Sequence, residues 1–273
     1  CPYERYFVAE HNVEIEESIE WAKQIGMMKQ DSRFHATQNA VYYMRQYENF
    51  VPGGRLLISK IITLLYMFDD FIDDARNVEK TDIVIEIFQH LKGMFDENYT
   101  LPAKTDDDDP LLNATREIVE DVKKFYNLPN YRLKRAIEIF LASVKFEMKV
   151  RRRRNAGKLF DYEFHRMYSA GTELSLEMTK PLIKVNINNL LAQTQCFYVA
   201  YESCLKLTYL INDLFGIVKD IKENSQNNYV VCLRNETESW QQAINETAKS
   251  LSDELKAFEL ALKLTPYEGI LTK

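Results

Sequence analysis

Glycine and proline are scarce in this chain, at 8 and 7 of 273 residues. A β-rich or α/β protein of that length needs more turn residues, so the scarcity points to helices. Cysteine is nearly absent too. Cys1, Cys196, Cys204 and Cys232 show no Cys-x-x-Cys spacing and no paired histidine, which argues against a zinc site or a disulfide framework. They read as reduced thiols of a cytoplasmic protein. Long apolar runs are missing as well: the longest, 56–68, is interrupted by Lys60 and is too short to span a bilayer. Net positive charge is lacking, and the balance of −6 argues against nucleic acid as a partner. Small anionic ligands remain open, because bound cations can invert a local field. The Asn-x-Thr triplets at Asn98, Asn113, Asn235 and Asn245 have no secretory signal beside them and read as coincidence.

Apolar residues, 46% of the chain, are ample for a core. They recur at helical spacing over about 14–28, 34–49, 55–75, 81–97, 111–126, 130–153, 158–180, 189–223 and 237–263. Turn chemistry separates them at "VPGGR", "LPAKTDDDDP", "NLPN" and "KENSQNN". No repeat, linker or change of composition divides the chain. The expectation is one all-α domain over 1–273, a helical bundle trimmed at both ends. Two charge runs have ordinary readings. "DDDD" at 106–109 is expected in a solvated loop, and "RRRR" at 151–154 at a helix end, where cations suit the dipole.

The unusual stretch is "LLYMFDDFIDDARN", 64–77, where Asp69, Asp70, Asp73 and Asp74 follow an apolar run. Like charges one turn apart repel, so something should compensate them. On a helix Asp69 and Asp73 share one face, and Asp70 and Asp74 form a second column about 100° away. Columns of hard oxygen donors suit Mg²⁺, which takes few carboxylates and keeps exchangeable waters. A second apolar helix carries similar donors in "LTYLINDLFGIVKDIKE", 207–223. There Asn212, Gly216 and Asp220 fall at i, i+4 and i+8, with Lys219 beside them. Two such faces could hold a cluster of divalent ions, and the ions a diphosphate.

"DDFID" (69–73) followed by "NDLFGIVKD" (212–220) resembles the two metal-binding motifs of class I terpene synthases, in their compact microbial-type, single α-domain form. The match departs twice from the family pattern: Gly216 replaces a Ser or Thr ligand, and Asp220 a Glu. Arg166 stands 46 residues before Asn212, the separation at which the family carries a diphosphate-sensing arginine. Just after it, "SAGT" (169–172) is where the family breaks its helix, and small residues permit a break there. The family's C-terminal Arg-Tyr pair has no counterpart in this chain.

The resemblance implies Mg²⁺-dependent ionisation and cyclisation of a linear isoprenyl diphosphate, farnesyl or geranylgeranyl, with release of diphosphate. The implied metal ligands are Asp69, Asp70, Asp73, Asn212 and Asp220, for three Mg²⁺ ions, with Mn²⁺ as an alternative. Asp69 and Arg166 would be catalytic, and Arg166 and Lys219 would hold the diphosphate. Tyr66, Phe68 and Gly171 are expected in the pocket, where aromatic faces attract a carbocation. With 16 Tyr, 15 Phe and 2 Trp the chain can furnish one. A homodimer is left open. The alternative activity is trans-prenyl chain elongation, which shares the fold and metals. It normally carries two Asp-Asp-x-x-Asp motifs, whereas the second motif here is of the Asn-Asp type.

Overall fold

The structure, a computed structural model, describes residues 12–27, 50–73, 77, 80–105, 108–126, 130–153, 158–183, 189–222 and 225–265. Their order is α1 (Asn12–Gln24), α2 (Gly54–Asp73), α3 (Thr81–Gly93), α4 (Pro110–Phe125), α5 (Tyr131–Arg153), α6 (Leu159–Ser169), α7 (Thr172–Thr179), a 3-10 turn (Lys180–Ile183), α8 (Asn189–Ala192), α9 (Gln195–Lys222), α10 (Tyr229–Arg234) and α11 (Trp240–Leu264). Among the described residues no strand occurs, and the fold is all-α. No helix among them is long and apolar enough to cross a membrane. The helix expected over 34–49 lies outside the described residues.

The expected helices are refined in three places. The one read over 158–180 breaks at Gly171, whose φ of 74° is the left-handed conformation that glycine adopts without a steric penalty. The one read over 189–223 is interrupted after Ala192, and the Thr194 hydroxyl accepts from the Phe197 amide at the new start. The third, α10, is a six-residue helix in a stretch where none was read. It is too short to show a helical period, and its apolar run "YVVCL" is buried on all sides.

The chain divides into two compact units: residues 1–138 with 175–185, and residues 139–174 with 186–273. In the first, α2 packs on α1 and α4, and α4 packs on α3. Leu57, Ile58, Ile61, Ile62, Leu64 and Phe68 form the buried stripe of α2. Lys60, the charge that interrupts the apolar run, lies 5.2 Å from the centre of the Trp21 ring and 3.5 Å from Asp121. Its ammonium thus meets a ring face and a carboxylate.

Asp108 and Asp109, the described half of the "DDDD" run, depart from the expected solvated state. Asp109 caps α4 by accepting from the Leu111 amide at 3.0 Å, with Pro110 as the first helical residue. Asp108 accepts from the buried Arg116 at 2.5 Å. Arg116 also donates to Glu86 at 2.9 Å and to His90 Nε2 at 3.2 Å. A buried guanidinium needs such partners, and the loop supplies one.

In the second unit α9 packs against α11 and α10, and α6 against α10 and α9. Its core holds Tyr162, Tyr209 and Tyr229, with ring centres 6.2–6.5 Å apart. Leu210, Ile217, Val230, Val231, Leu233 and Ala243 complete it. Cys232 is buried there, and Cys196 and Cys204 are partly so; all three are free thiols.

Candidate metal and diphosphate site

The first motif occupies the last turn of α2. The apolar stripe that buries Leu64 and Phe68 faces the core, so the aspartates fall toward the helix end. Asp69 is exposed and Asp70 is half-buried. Asp73 is the final residue of the helix, and Asp74 lies outside the described residues. Asn77 closes the end by donating to the Phe71 carbonyl at 3.1 Å. Phe68 is 4% exposed and meets Phe88 edge-on, with centroids 6.1 Å apart. Tyr66 remains partly exposed.

The second motif lies on α9, in the other unit. Asn212 is exposed, Gly216 and Asp220 are half-buried on the same face, and Lys219 is exposed beside them. Among the described residues, a side chain begun at Gly216 would meet only Asp220 within 4 Å, its Oδ2 at 3.4 Å. The donors on either side of Gly216 are an amide oxygen and a carboxylate. That donor set fits Mg²⁺ or Mn²⁺. Among the described residues no three His, Cys, Asp or Glu groups converge into an all-protein cage.

Arg166, on α6, reaches this face. Its Nη2 donates to Asn212 Oδ1 at 3.0 Å and to Asp213 Oδ1 at 3.1 Å. Asp213 is 1% exposed, so the pair is a buried ion pair. The other carboxylate oxygen of Asp213 accepts from the Tyr162 hydroxyl and from the Tyr229 amide, the latter at 2.9 Å. Burial first, and the Asp213 charge second, hold the Tyr162 phenol well above its ordinary range. Asn228 donates to the Asp213 carbonyl at 2.8 Å and to Asp220 Oδ2 at 2.7 Å. Burial pushes the Asp220 carboxyl up, and the Asn228 hydrogen bond and Lys219 pull it back down.

The break after Arg166 is built as the small residues allow. The Ala170 amide donates to the Arg166 carbonyl at 3.0 Å and the Gly171 amide to the Tyr168 carbonyl at 3.1 Å, after which α7 begins. Among the described residues, the buried hydroxyls of Ser169 and Thr172 have no hydrogen-bond partner. Two polar groups flanking a helix break are thus left for a ligand or water to satisfy.

Arg166, Asn212 and Asp220 were legible from spacing. Asp213, Tyr162 and Asn228 were not. In sequence Asp213 is one more oxygen-bearing residue beside Asn212, and burial sets the two apart. Asn228 sat in a stretch read as a turn; its position before "YVV" is an N-cap signal that would have found α10.

The sequence profile of terpene synthase family 2, C-terminal metal binding, matches residues 60–257. No curated protein sequence matches this chain. Solved structures share its fold. One is α-eudesmol synthase, at 15% identity and TM-score 0.74 over 96% of this chain and 85% of that one. Another is linalool/nerolidol synthase from Streptomyces clavuligerus, at 13% identity and TM-score 0.76 over 96% and 86%. A third is the ancestrally reconstructed protein SVS_A2, at 20% identity and TM-score 0.78 over 98% and 82%.

Proposed function

This chain belongs to terpene synthase family 2, a class I terpene synthase, and from that premise we propose that it ionises and cyclises farnesyl or geranylgeranyl diphosphate. The observation that carries the reading is the contact between Arg166 and the second motif, which joins the expected diphosphate sensor to the expected metal face. Chain elongation is not favoured, since the family match is to terpene synthases.

Asp69, Asp70 and Asp73 would serve as ligands from the first motif, and Asn212 and Asp220 from the second. Mg²⁺, three ions by analogy with the family, would neutralise the departing diphosphate and polarise its oxygens when bound. Arg166 would add a planar fork matched to phosphate oxygens, and Lys219 a mobile point charge. By the family resemblance, Tyr66, Phe68 and Gly171 are the residues proposed to meet the isoprenoid chain. The reading of one domain over 1–273 is supported by a single family match that runs over residues 60–257. Free thiols support a cytoplasmic location.

Incubating the protein with farnesyl and with geranylgeranyl diphosphate, with and without Mg²⁺, followed by gas chromatography, tests the reading. A cyclic hydrocarbon or alcohol made only with Mg²⁺ supports it. Longer linear diphosphates, formed once isopentenyl diphosphate is added, would replace it with chain elongation.

A further inference from the structure

Asn228 is 0% exposed, and all four of its amide hydrogen-bonding positions are used. Its Oδ1 accepts from the Val230 amide at 2.8 Å and the Val231 amide at 3.4 Å, which caps α10. Its Nδ2 spends one hydrogen on the Asp213 carbonyl at 2.8 Å and the other on Asp220 Oδ2 at 2.7 Å. The amide orientation is unambiguous: turned over, it would set an oxygen against a carboxylate and a carbonyl. A helix cap requires only the oxygen, and Ser or Thr supplies it nearly as well. The two N–H donations are additional to capping, and both go to α9.

We propose that Asn228 is a positioning residue for Asp220, fixing through Oδ2, the oxygen beside Gly216, the angle at which the carboxylate meets the Mg²⁺ of the second motif. This rests on the metal-site reading above. The side chain at 220 is one methylene shorter than the Glu of the family pattern, so it reaches less far and gains more from being held at a fixed angle. The anchor is rigid, because Asn228 is fixed to α10 by its cap and to α9 at Asp213. The Tyr229 amide adds a second tie to Asp213 at 2.9 Å. Asp213 and Asp220 are seven residues apart, two helical turns, so Asn228 and Tyr229 grip one face of α9 at two heights. A carboxylate pinned through one oxygen loses little further freedom when an ion binds, which is how outer partners raise metal affinity, typically by 10–100-fold.

The test uses Asn228→Ser and Asn228→Thr, which keep a capping oxygen and lose both donors to α9. Two readings are taken: calorimetric titration of Mg²⁺ in the presence of inorganic diphosphate, and the Mg²⁺ dependence of turnover. We expect the apparent Mg²⁺ affinity to fall at least tenfold, and turnover to recover at high Mg²⁺. In an Asp220→Ala background, Asn228→Ser should shift Mg²⁺ affinity by no more than about twofold, since two residues acting as one unit are non-additive. Unchanged Mg²⁺ affinity in Asn228→Ser, with a clear loss in Asp220→Ala, would overturn the proposal and leave the metal site standing. Unchanged affinity in Asp220→Ala would instead remove the metal site itself. If both Asn228 variants fail to fold, Asn228 is a folding residue and the proposal falls.

Discussion

Arg166 and Asn212, 46 residues apart in the chain, are joined by a hydrogen bond of 3.0 Å. If Asn212 Oδ1 serves as the proposed metal ligand, guanidinium and ion would contend for it. The same nitrogen stays tied to Asp213, which keeps Arg166 over the motif whichever partner wins.

Arg166→Lys keeps the charge and loses the fork. Turnover should fall by orders of magnitude, with the melting temperature lowered modestly because Asp213 still has a cation nearby. Arg166→Ala is the less informative variant: it leaves Asp213 buried without its cation, at a cost of about 3–5 kcal/mol. A Lys variant with full turnover and reduced stability would make Arg166 a structural residue.

Asp69 is exposed, so Asp69→Asn removes a charge without opening the core. Near-complete loss of product with an unchanged melting temperature is the expected outcome. Retained activity in this variant would remove Asp69 from the metal ligands.

Asp220 and Glu223 are rival acids at the end of the second motif. Asp220 lies eight residues from Asn212, about 12 Å along α9; Glu223, eleven residues on, lies outside the described residues, and ideal helical rise would carry it to about 16 Å. Two side chains reaching inward can span the shorter distance only. Asp220→Asn should raise the Mg²⁺ requirement strongly and Glu223→Gln should not, as read from a Mg²⁺ titration of turnover. The reverse result would shift the motif by one turn.

Tyr162 supplies one of the hydrogen bonds that satisfy the buried Asp213 carboxylate. Tyr162→Phe keeps the ring packing against Tyr209 and Tyr229 and removes the donor. A loss of about 1–3 kcal/mol is expected by urea unfolding, since a buried charge is left short of a partner. Stability equal to that of the unaltered protein would mean that Arg166 and the Tyr229 amide suffice.

His90 predicts a pH effect on stability. Arg116 can only donate, so His90 Nε2 accepts, at 3.2 Å, and Nδ1 carries the proton toward the Tyr99 hydroxyl at 2.7 Å. Burial first, then Arg116, lower the pKa of His90, while Glu86 and Asp108 oppose them in part. The folded value lies below the unfolded one of about 6.5, so the unfolded chain binds the proton more readily. Stability should therefore hold above about pH 6.5 and fall as the pH drops below it. His90→Gln, which retains an acceptor and a donor, should flatten that part of the decline in a series of melting temperatures. An unchanged slope would assign it to other groups.

The sequence by itself determined the class of fold, the two motifs and the spacing of Arg166. Each of these is local or periodic: turn residues are few, apolar positions repeat every three to four residues, and ligands on one helix keep their angular order wherever the helix lies. Tertiary structure decided what each polar residue does. Asn212 and Asp213 are neighbours about 100° apart on α9, and nothing in their order says which turns outward. Packing against Tyr162 and Tyr229 buries Asp213 and leaves Asn212 exposed. Packing likewise brings Asp108, expected in solvent, to Arg116, and makes Asn228, which reads as part of a turn, the clamp between two helices. A helical period sets relative angles within one element. The absolute orientation, and with it the partner of every buried charge, comes from the elements packed against it.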